Sequence, residues 1–134
     1  MIRLATEKDI DTIAKIASKS SKEIGFVMKV AMKEAITKDS LIVVERNKQV
    51  IGFCKFNKRK KDGVTVIYEV CVLKEYRGMG YGKQMINHLY RPIELKCPVD
   101  NASNKFYQAI GCELVETVPG RKRALNVWRL SEWK

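Results

Sequence analysis

The sequence predicts an α/β fold, a mixed sheet of about seven strands with four helices, in one domain that spans residues 1–134. The predicted elements follow the order β-α-α-β-β-β-α-β-α-β-β, which combines hairpins with a βαβ unit. The segment 64–73 is apolar or β-branched at nearly every position, as in a strand buried on both faces. A glycine-rich turn and a helical pattern follow this strand directly, and 134 residues suffice for a single core.

The first half of the chain contains a strand, two helices and a hairpin. Local patterns place these elements at Ile2–Leu4, at a helix with Thr6 as N-cap, and at Val27–Ile36, Ser40–Arg46 and Gln49–Asn57. Asn47-Lys48 has the length of a two-residue hairpin turn. The second helix is predicted to face inward with Val27, Val30, Ala31, Ala35 and Ile36.

Composition limits the class of protein. The chain is 46% hydrophobic and 31% charged, which is usual for a globular domain, and no apolar run approaches the length of a membrane span. The first residues lack the apolar segment of a signal peptide, so we expect a cytoplasmic protein. The net charge of +11 attracts polyanions, but a lysine-rich solvated surface is the explanation that we favour over nucleic-acid binding.

Cysteine and histidine usage argues against a metal site. Cys54, Cys71, Cys97 and Cys112 are scattered without a Cys-x-x-Cys pair, so neither zinc ligation nor a disulfide framework is expected. We expect them to be reduced core residues. His88 is the only histidine, which excludes a site with several histidines, and no metal is predicted.

The glycine-rich turn has the composition of a phosphate site. Arg77-Gly-Met-Gly-Tyr-Gly82 lies between the buried strand and a helical pattern, and glycines allow positive φ and close approach of a ligand. The first N–H groups of the helix then point at an anion. A P-loop is excluded because Gln84 follows Lys83 where Ser or Thr is needed, and no acidic residue stands where a dinucleotide-binding unit requires one.

Two motifs together resemble the GNAT superfamily of N-acetyltransferases. Arg77, Gly80 and Gly82 match the acetyl-CoA signature Arg/Gln-x-x-Gly-x-Gly/Ala that follows a long strand. Downstream, a second motif of the form Asn-x-x-Asn/Ala-x-x-Phe-Tyr-x-x-x-Gly-Phe is matched by Asn101, Asn104, Phe106, Tyr107 and Gly111, with Cys112 in place of the last Phe. The resemblance covers essentially the whole chain and is most specific over residues 64–115.

The resemblance implies a sheet that splays between its fourth and fifth strands and holds acetyl-CoA there as co-substrate. The pantetheine arm is expected along the backbone of the fourth strand, and the pyrophosphate on the N–H groups of the turn. For Arg77, a phosphate-binding charge and a purely structural role both remain open. The candidate cofactor-binding residues are Val70, Cys71, Val72, Arg77, Gly78, Met79, Gly80, Tyr81, Gly82, Lys83, Asn101 and Asn104.

The resemblance also implies direct attack of an amine on acetyl-CoA, without an acyl-enzyme. Tyr107 lies where many members place the general acid for the CoA thiolate. Glu69 is the candidate general base; an orienting carboxylate or an ion pair with a lysine is an equally supported role. The link before the second helix overhangs the acceptor site in the family, so Phe26 and Met28 are predicted to touch either substrate or core.

The acceptor stays open at this level. A small-molecule or protein amine is the leading prediction, with no membrane partner and either a monomer or a homodimer. A nucleic-acid base is the alternative that the charge and the basic segments 58–61 and 121–123 favour, although no known nucleic-acid motif is present. The third alternative is a different class of protein, a CoA-binding interaction protein without catalytic activity.

Overall fold

The computed structural model describes residues 1–24 and 27–131, and within them a seven-stranded sheet in the order β1-β2-β3-β4-β5-β7-β6. The strands are β1 Ile2–Leu4, β2 Leu41–Arg46, β3 Gln49–Lys58, β4 Thr65–Val72, β5 Ile93–Pro98, β6 Glu113–Val118 and β7 Leu125–Leu130. The described helices are α1 Ile10–Lys19, the single turn α2 Ser21–Ile24, α3 Lys29–Thr37, α4 Tyr81–His88 and α5 Ser103–Ala109. The predicted mixed sheet of about seven strands with four helices is confirmed, α2 being an extra single turn.

The chain folds as two compact units. The first comprises Met1–Phe56 and Glu69–His88, and the second comprises Asn57–Tyr68 and the chain from residue 89 onward. That residues 1–134 make a single domain stays a prediction. No helix among the described residues is long and apolar enough to cross a lipid bilayer.

The first unit is built around the β2–β3 hairpin and the amphipathic helix α1. Ile13, Val43 and Phe53 are almost completely buried in its core, together with Met32 from α3. The hairpin turn is Asn47-Lys48, as predicted, and both residues have positive φ, +52° and +65°. Because both central residues of a type I′ turn need positive φ, this turn matches the twist of the flanking strands.

The inward face predicted for α3 is partly wrong. The helix begins at Lys29, and Val30 is 63% exposed; Ala35 is buried as predicted, and Met32 is buried although it was not predicted to be. Residues three apart share a helix face, whereas Val30 lies two residues, about 200°, from Met32. Met32 and Ala35 are three residues apart, and the face that they share packs into the core while Val30 points away from it.

The second unit contains a parallel strand pair. β4 pairs with β5 from Thr65↔Ile93 to Ile67↔Leu95, and both strands continue beyond this ladder. β7 then runs antiparallel to β5 along its whole length, from Ile93↔Leu130 to Pro98↔Leu125. β6 forms the edge of the sheet against β7, and five of its six residues are exposed.

Candidate active site

The glycine turn ends in an open helix N-terminus. Gly78 and Gly80 have φ of +79° and +90°, the left-handed region that side-chain-bearing residues rarely adopt, and no atom lies within 4 Å of where their Cβ atoms would be. The amide of Gln84 donates to the carbonyl of Gly80 at 2.9 Å, which begins the hydrogen bonding of α4. The first N–H groups of α4 therefore have no intrahelical acceptor, and the space beside the glycines is open.

Arg77 fixes the turn to the rest of the first unit. Its Nε donates to the carbonyl of Val72 at 2.9 Å, and its Nη2 donates to Oγ of the buried Ser20 at 2.9 Å. The guanidinium thus joins the end of β4, the turn and the end of α1. The sequence left a phosphate-binding role and a structural role open for Arg77, and these contacts support the structural role.

Arg46 is a further candidate for the site, and the sequence did not reveal it. From the end of β2, its Nη1 lies 3.3 Å from Sδ of Met79 and 3.4 Å from the hydroxyl of Tyr81, and its Cζ lies 5.4 Å from the centroid of the Tyr76 ring. These partners are neutral, so the positive charge of the Arg46 guanidinium lies beside the glycine turn without a compensating charge from them. Arg46 is more than 30 residues from the turn along the chain, and no local pattern marks such a contact.

Glu69 is a buried carboxylate on β4. Its side chain is 14% exposed, and Nζ of Lys55 lies 3.7 Å from Oε2, beyond hydrogen-bond distance. Among the described residues, that oxygen is buried without a hydrogen-bond partner. Burial raises the pKa of Glu69, and the charge of Lys55 opposes that rise. A carboxylate with a raised pKa is a better proton acceptor near neutral pH than an exposed one.

The end of β4 is held close to β3. A Cβ on Gly52 would lie 2.8 Å from the carbonyl oxygen of Cys71, so only glycine fits at this point of β3. The amide of Leu73 donates to the carbonyl of Ile51 at 2.9 Å just beyond the strand. Cys71 and Val72 are buried and Val70 is half-buried, so the predicted pantetheine-binding residues form a fixed strand end.

The second motif organises the start of α5. Asn101 accepts a hydrogen bond from the amide of Ser103 at 2.8 Å, which caps the helix as predicted. The Asn104 amide group donates to the carbonyls of Pro98 and Asn101, both at 2.8 Å, and its Oδ1 accepts from Nε1 of Trp128 at 2.8 Å. These contacts give Asn104 a structural role, and its predicted contact with CoA stays a prediction.

Tyr107 follows on α5 and is 8% exposed. Its ring packs edge-on against that of Phe106, with the ring centroids 5.3 Å apart. This packing holds the phenol ring in one position within the second unit. A general acid requires such a fixed position, because its hydroxyl must point in one direction. Its role as an acid stays a prediction.

The cysteines are structural, as the sequence indicated. All four are free and buried. Burial raises the pKa of the Cys54 thiol well above its usual range and raises the pKa values of Cys97 and Cys112 to about 11. These three thiols are protonated at neutral pH and are poor nucleophiles. Within the described chain, no group of three or more His, Cys, Asp or Glu side chains is arranged to hold a metal ion.

Some of the candidate residues lie in the first unit and others in the second. The turn, Glu69 to Val72, Arg46 and Lys55 belong to the first unit, and the second motif with Tyr107 belongs to the second. Met28 is 56% exposed, which removes the core alternative and leaves it as a candidate substrate contact. Phe26 lies outside the described residues.

Comparisons with known proteins find acetyltransferases. The sequence profile of the Acetyltransferase (GNAT) domain matches residues 37–113. The 5-NmdU N-acetyltransferase of Pseudomonas phage PaMx11 is 25% identical over 142 residues, which cover 99% of this chain and 99% of that protein.

Solved structures share the fold. Ard1 from Thermoplasma volcanium has a TM-score of 0.85 at 18% identity, covering all of this chain and 98% of that one. The acetyltransferase yncA of Salmonella typhimurium, solved with its cofactor acetyl-CoA, has a TM-score of 0.77 at 20% identity, covering all of this chain and 94% of that one.

The profile match spans more than half of the chain and includes the long strand, the glycine turn and the whole second motif. The chain belongs to the GNAT family of N-acetyltransferases. It is therefore an enzyme that uses acetyl-CoA as its acetyl donor.

Proposed function

We propose that this enzyme transfers the acetyl group of acetyl-CoA directly to an amine, with the cofactor's pyrophosphate on the glycine turn. The open turn at the start of α4 is the observation that carries the proposal. Positive φ at Gly78 and Gly80 exposes backbone N–H groups, from Gly78 to Lys83, to a ligand. The positive end of the helix dipole and these N–H groups favour an anion there.

The proposed chemistry needs one base and one acid. Glu69 takes a proton from the amine, whose nitrogen then attacks the thioester carbonyl carbon. A backbone N–H near Val72 stabilises the oxygen as negative charge develops. The C–S bond breaks, and the hydroxyl of Tyr107 gives its proton to the departing thiolate. An unperturbed phenol has a pKa of about 10, near enough to that of a thiol for this transfer.

The absence of a reactive thiol among three of the four cysteines supports direct transfer. An acyl-enzyme on cysteine requires a thiolate, and burial keeps Cys54, Cys97 and Cys112 protonated by raising the pKa of each. Cys71 is buried in the core cluster of the first unit.

Gly80→Asp tests the site of cofactor binding. The new carboxylate places negative charge where the pyrophosphate is proposed to bind, so we expect at least a hundredfold weaker acetyl-CoA binding by isothermal titration calorimetry. Positive φ also strains the aspartate by about 1–2 kcal/mol. Space is not the cause, because nothing lies within 4 Å of the new Cβ.

Gly111→Asp is the matched control for Gly80→Asp. Gly111 has φ of +100°, and its Cβ would also meet nothing within 4 Å, but it follows α5. This variant shares the backbone strain and the added charge, and it should retain normal acetyl-CoA affinity. If Gly80→Asp binds acetyl-CoA as tightly as Gly111→Asp does, the pyrophosphate is not on this turn.

We propose that Arg46 supplies a phosphate-binding charge beside the turn. Arg46→Gln should weaken acetyl-CoA binding by about three- to tenfold, a modest effect because the side chain is exposed. The loss should shrink as salt concentration rises. Arg121→Gln, an exposed arginine in the other unit, is the control and should bind acetyl-CoA normally. Dephospho-CoA, compared with CoA, shows whether the 3′-phosphate is the group contacted.

A nucleic-acid base is the second candidate acceptor. The phage relative that spans nearly the whole chain is named for N-acetylation of 5-NmdU, a nucleic-acid base, and the net charge of +11 favours polyanions. The basic loops contribute less than their composition suggests. Arg59 donates to Asp62 and Glu94, and Arg123 donates to Asp100, so these arginines hold the loops together. A screen of amines, peptides and amine-bearing oligonucleotides with labelled acetyl-CoA separates the candidates.

A cytoplasmic location is part of this proposal. Four free buried cysteines suit a reducing compartment, where disulfides are rare. The assembly is proposed to be a monomer or a homodimer.

A further inference from the structure

A basic cavity lies in the first unit, between the end of α1 and the segment that joins β4 to the glycine turn. Its volume is about 380 Å³. From the α1–α2 corner come Lys19, Ser20, Ser21 and Lys22, and from the segment after β4 come Leu73, Lys74, Glu75 and Arg77. The volume is within the range of small-ligand sites, which is about 300–1,000 Å³.

The lining of this cavity suits an anion. Four of its side chains are cationic and one is a carboxylate, with two hydroxyls between them. Arg77 is held rigid by the carbonyl of Val72 and the hydroxyl of Ser20, so one wall of the cavity is preorganised. Lysines on flexible stems add mobile donors that adapt to a tetrahedral group. The cavity therefore has the charge and the donors that a phosphate group requires.

We propose that this cavity binds a backbone phosphate of a polynucleotide that carries the acceptor base. The proposal rests on the second candidate of the proposed function, the nucleic-acid acceptor. The cavity shares Arg77 with the proposed cofactor turn, so a phosphate bound there anchors a strand beside the acetyl donor. Of the seven cations in the basic loops, Arg59 and Arg123 form internal ion pairs. The cavity has several cationic side chains around one concave surface, and a phosphate-binding site requires such an arrangement.

Backbone contact of this kind positions a strand and leaves the base to the active site. Phosphate contacts fix the register of a nucleic acid without reading its sequence, and each one makes affinity depend on salt. The expected ligand is single-stranded or flipped-out, because a base within a duplex is hidden from an acetyl donor. We therefore expect tighter binding to single strands than to duplex DNA.

The test is a triple variant that removes three positive charges, Lys19→Gln, Lys22→Gln and Lys74→Gln. Binding of a fluorescein-labelled single-stranded oligodeoxynucleotide is measured by anisotropy over a range of salt concentrations. We expect an affinity loss of about tenfold or more at low salt, and a salt slope smaller by about 1. Acetyl-CoA affinity, measured by calorimetry on the same samples, should not change.

The matched control neutralises three exposed lysines elsewhere in the same unit, Lys8, Lys33 and Lys38. It has the same net charge as the cavity variant and should bind the oligonucleotide within about twofold of the parent. Equal losses in both variants would show that only diffuse charge attracts the strand, and the proposal would be wrong.

Two further results would also overturn the proposal. Weaker acetyl-CoA binding with unchanged oligonucleotide binding would assign the phosphate to the cofactor. Cavity-dependent binding of an acidic peptide, without oligonucleotide binding, would assign the site to an acidic protein acceptor. Failure of the proposed function is a separate result, because the parent protein would then transfer no acetyl group to an amine-bearing oligonucleotide, whatever its affinity for that strand.

Discussion

Tyr107→Phe is expected to lower the turnover rate by roughly 10- to 10⁴-fold, the span that follows the loss of a general acid. The substitution removes one oxygen and keeps the ring, which packs edge-on against Phe106 in a position that is 8% exposed. Acetyl-CoA affinity and the free energy of unfolding should therefore stay close to those of the parent. Steady-state kinetics at saturating acetyl-CoA and across pH provide the measurement.

The pH profile separates the acid from a merely structural ring. If the phenol donates the proton, activity falls at high pH as the phenol ionises, and Tyr107→Phe removes or shifts that limb. If Tyr107 is only a wall of the cofactor site, KM for acetyl-CoA rises and turnover at saturation stays normal. Tyr90→Phe, at a tyrosine that is 89% exposed, is the control and should leave both parameters unchanged.

Glu69→Gln is expected to reduce turnover by about 10²- to 10⁴-fold if the carboxylate is the base. Because burial raises the pKa of Glu69, the acid limb of the kcat/KM profile should lie above the ordinary range of a glutamate, and activity should rise as pH passes through it. Glutamine cannot accept the proton, so this limb should disappear. A variant that keeps both the limb and normal turnover would exclude Glu69 as the base.

Lys55→Gln gives an independent test of the same assignment. The charge of Lys55 lowers the pKa of Glu69 against the effect of burial, so its removal should shift the acid limb to higher pH. Lys55 is not placed in the transfer step, so turnover on the plateau above that limb should change little. A limb that does not move would show that a different group titrates.

The free energy of unfolding of Glu69→Gln distinguishes a catalytic base at Glu69 from a structural ion pair between Glu69 and Lys55. The folded-state pKa of Glu69 is raised, so the folded protein binds this proton more tightly than the unfolded chain does. Ionisation of Glu69 therefore costs stability, increasingly as pH rises above the unfolded pKa and fully above the folded pKa. Near neutral pH, Glu69→Gln should leave the free energy of unfolding unchanged or slightly higher in denaturant titrations. A clear loss of stability would favour the ion pair with Lys55.

Much of the fold was predictable because its signals are local. The apolar run of β4, the two-residue turn at Asn47-Lys48 and the glycine turn before α4 each follow from patterns within a few residues. The prediction was wrong at Val30, where the apolar pattern alone did not define the face of α3. Burial depends on what packs against a helix, and Met32 lies on the face of α3 that packs into the core.

By itself, the sequence determined the family, the order of elements and the residues of the two motifs. Only the tertiary structure decided what these residues contact. It brought Arg46 to the glycine turn, joined Arg77 to Ser20 across 57 positions of the chain, and engaged the amide group of Asn104 with Trp128. The basic cavity likewise combines a helix corner with a distant loop. Such contacts depend on where whole elements pack, and the spacing of residues along the chain carries no record of that packing.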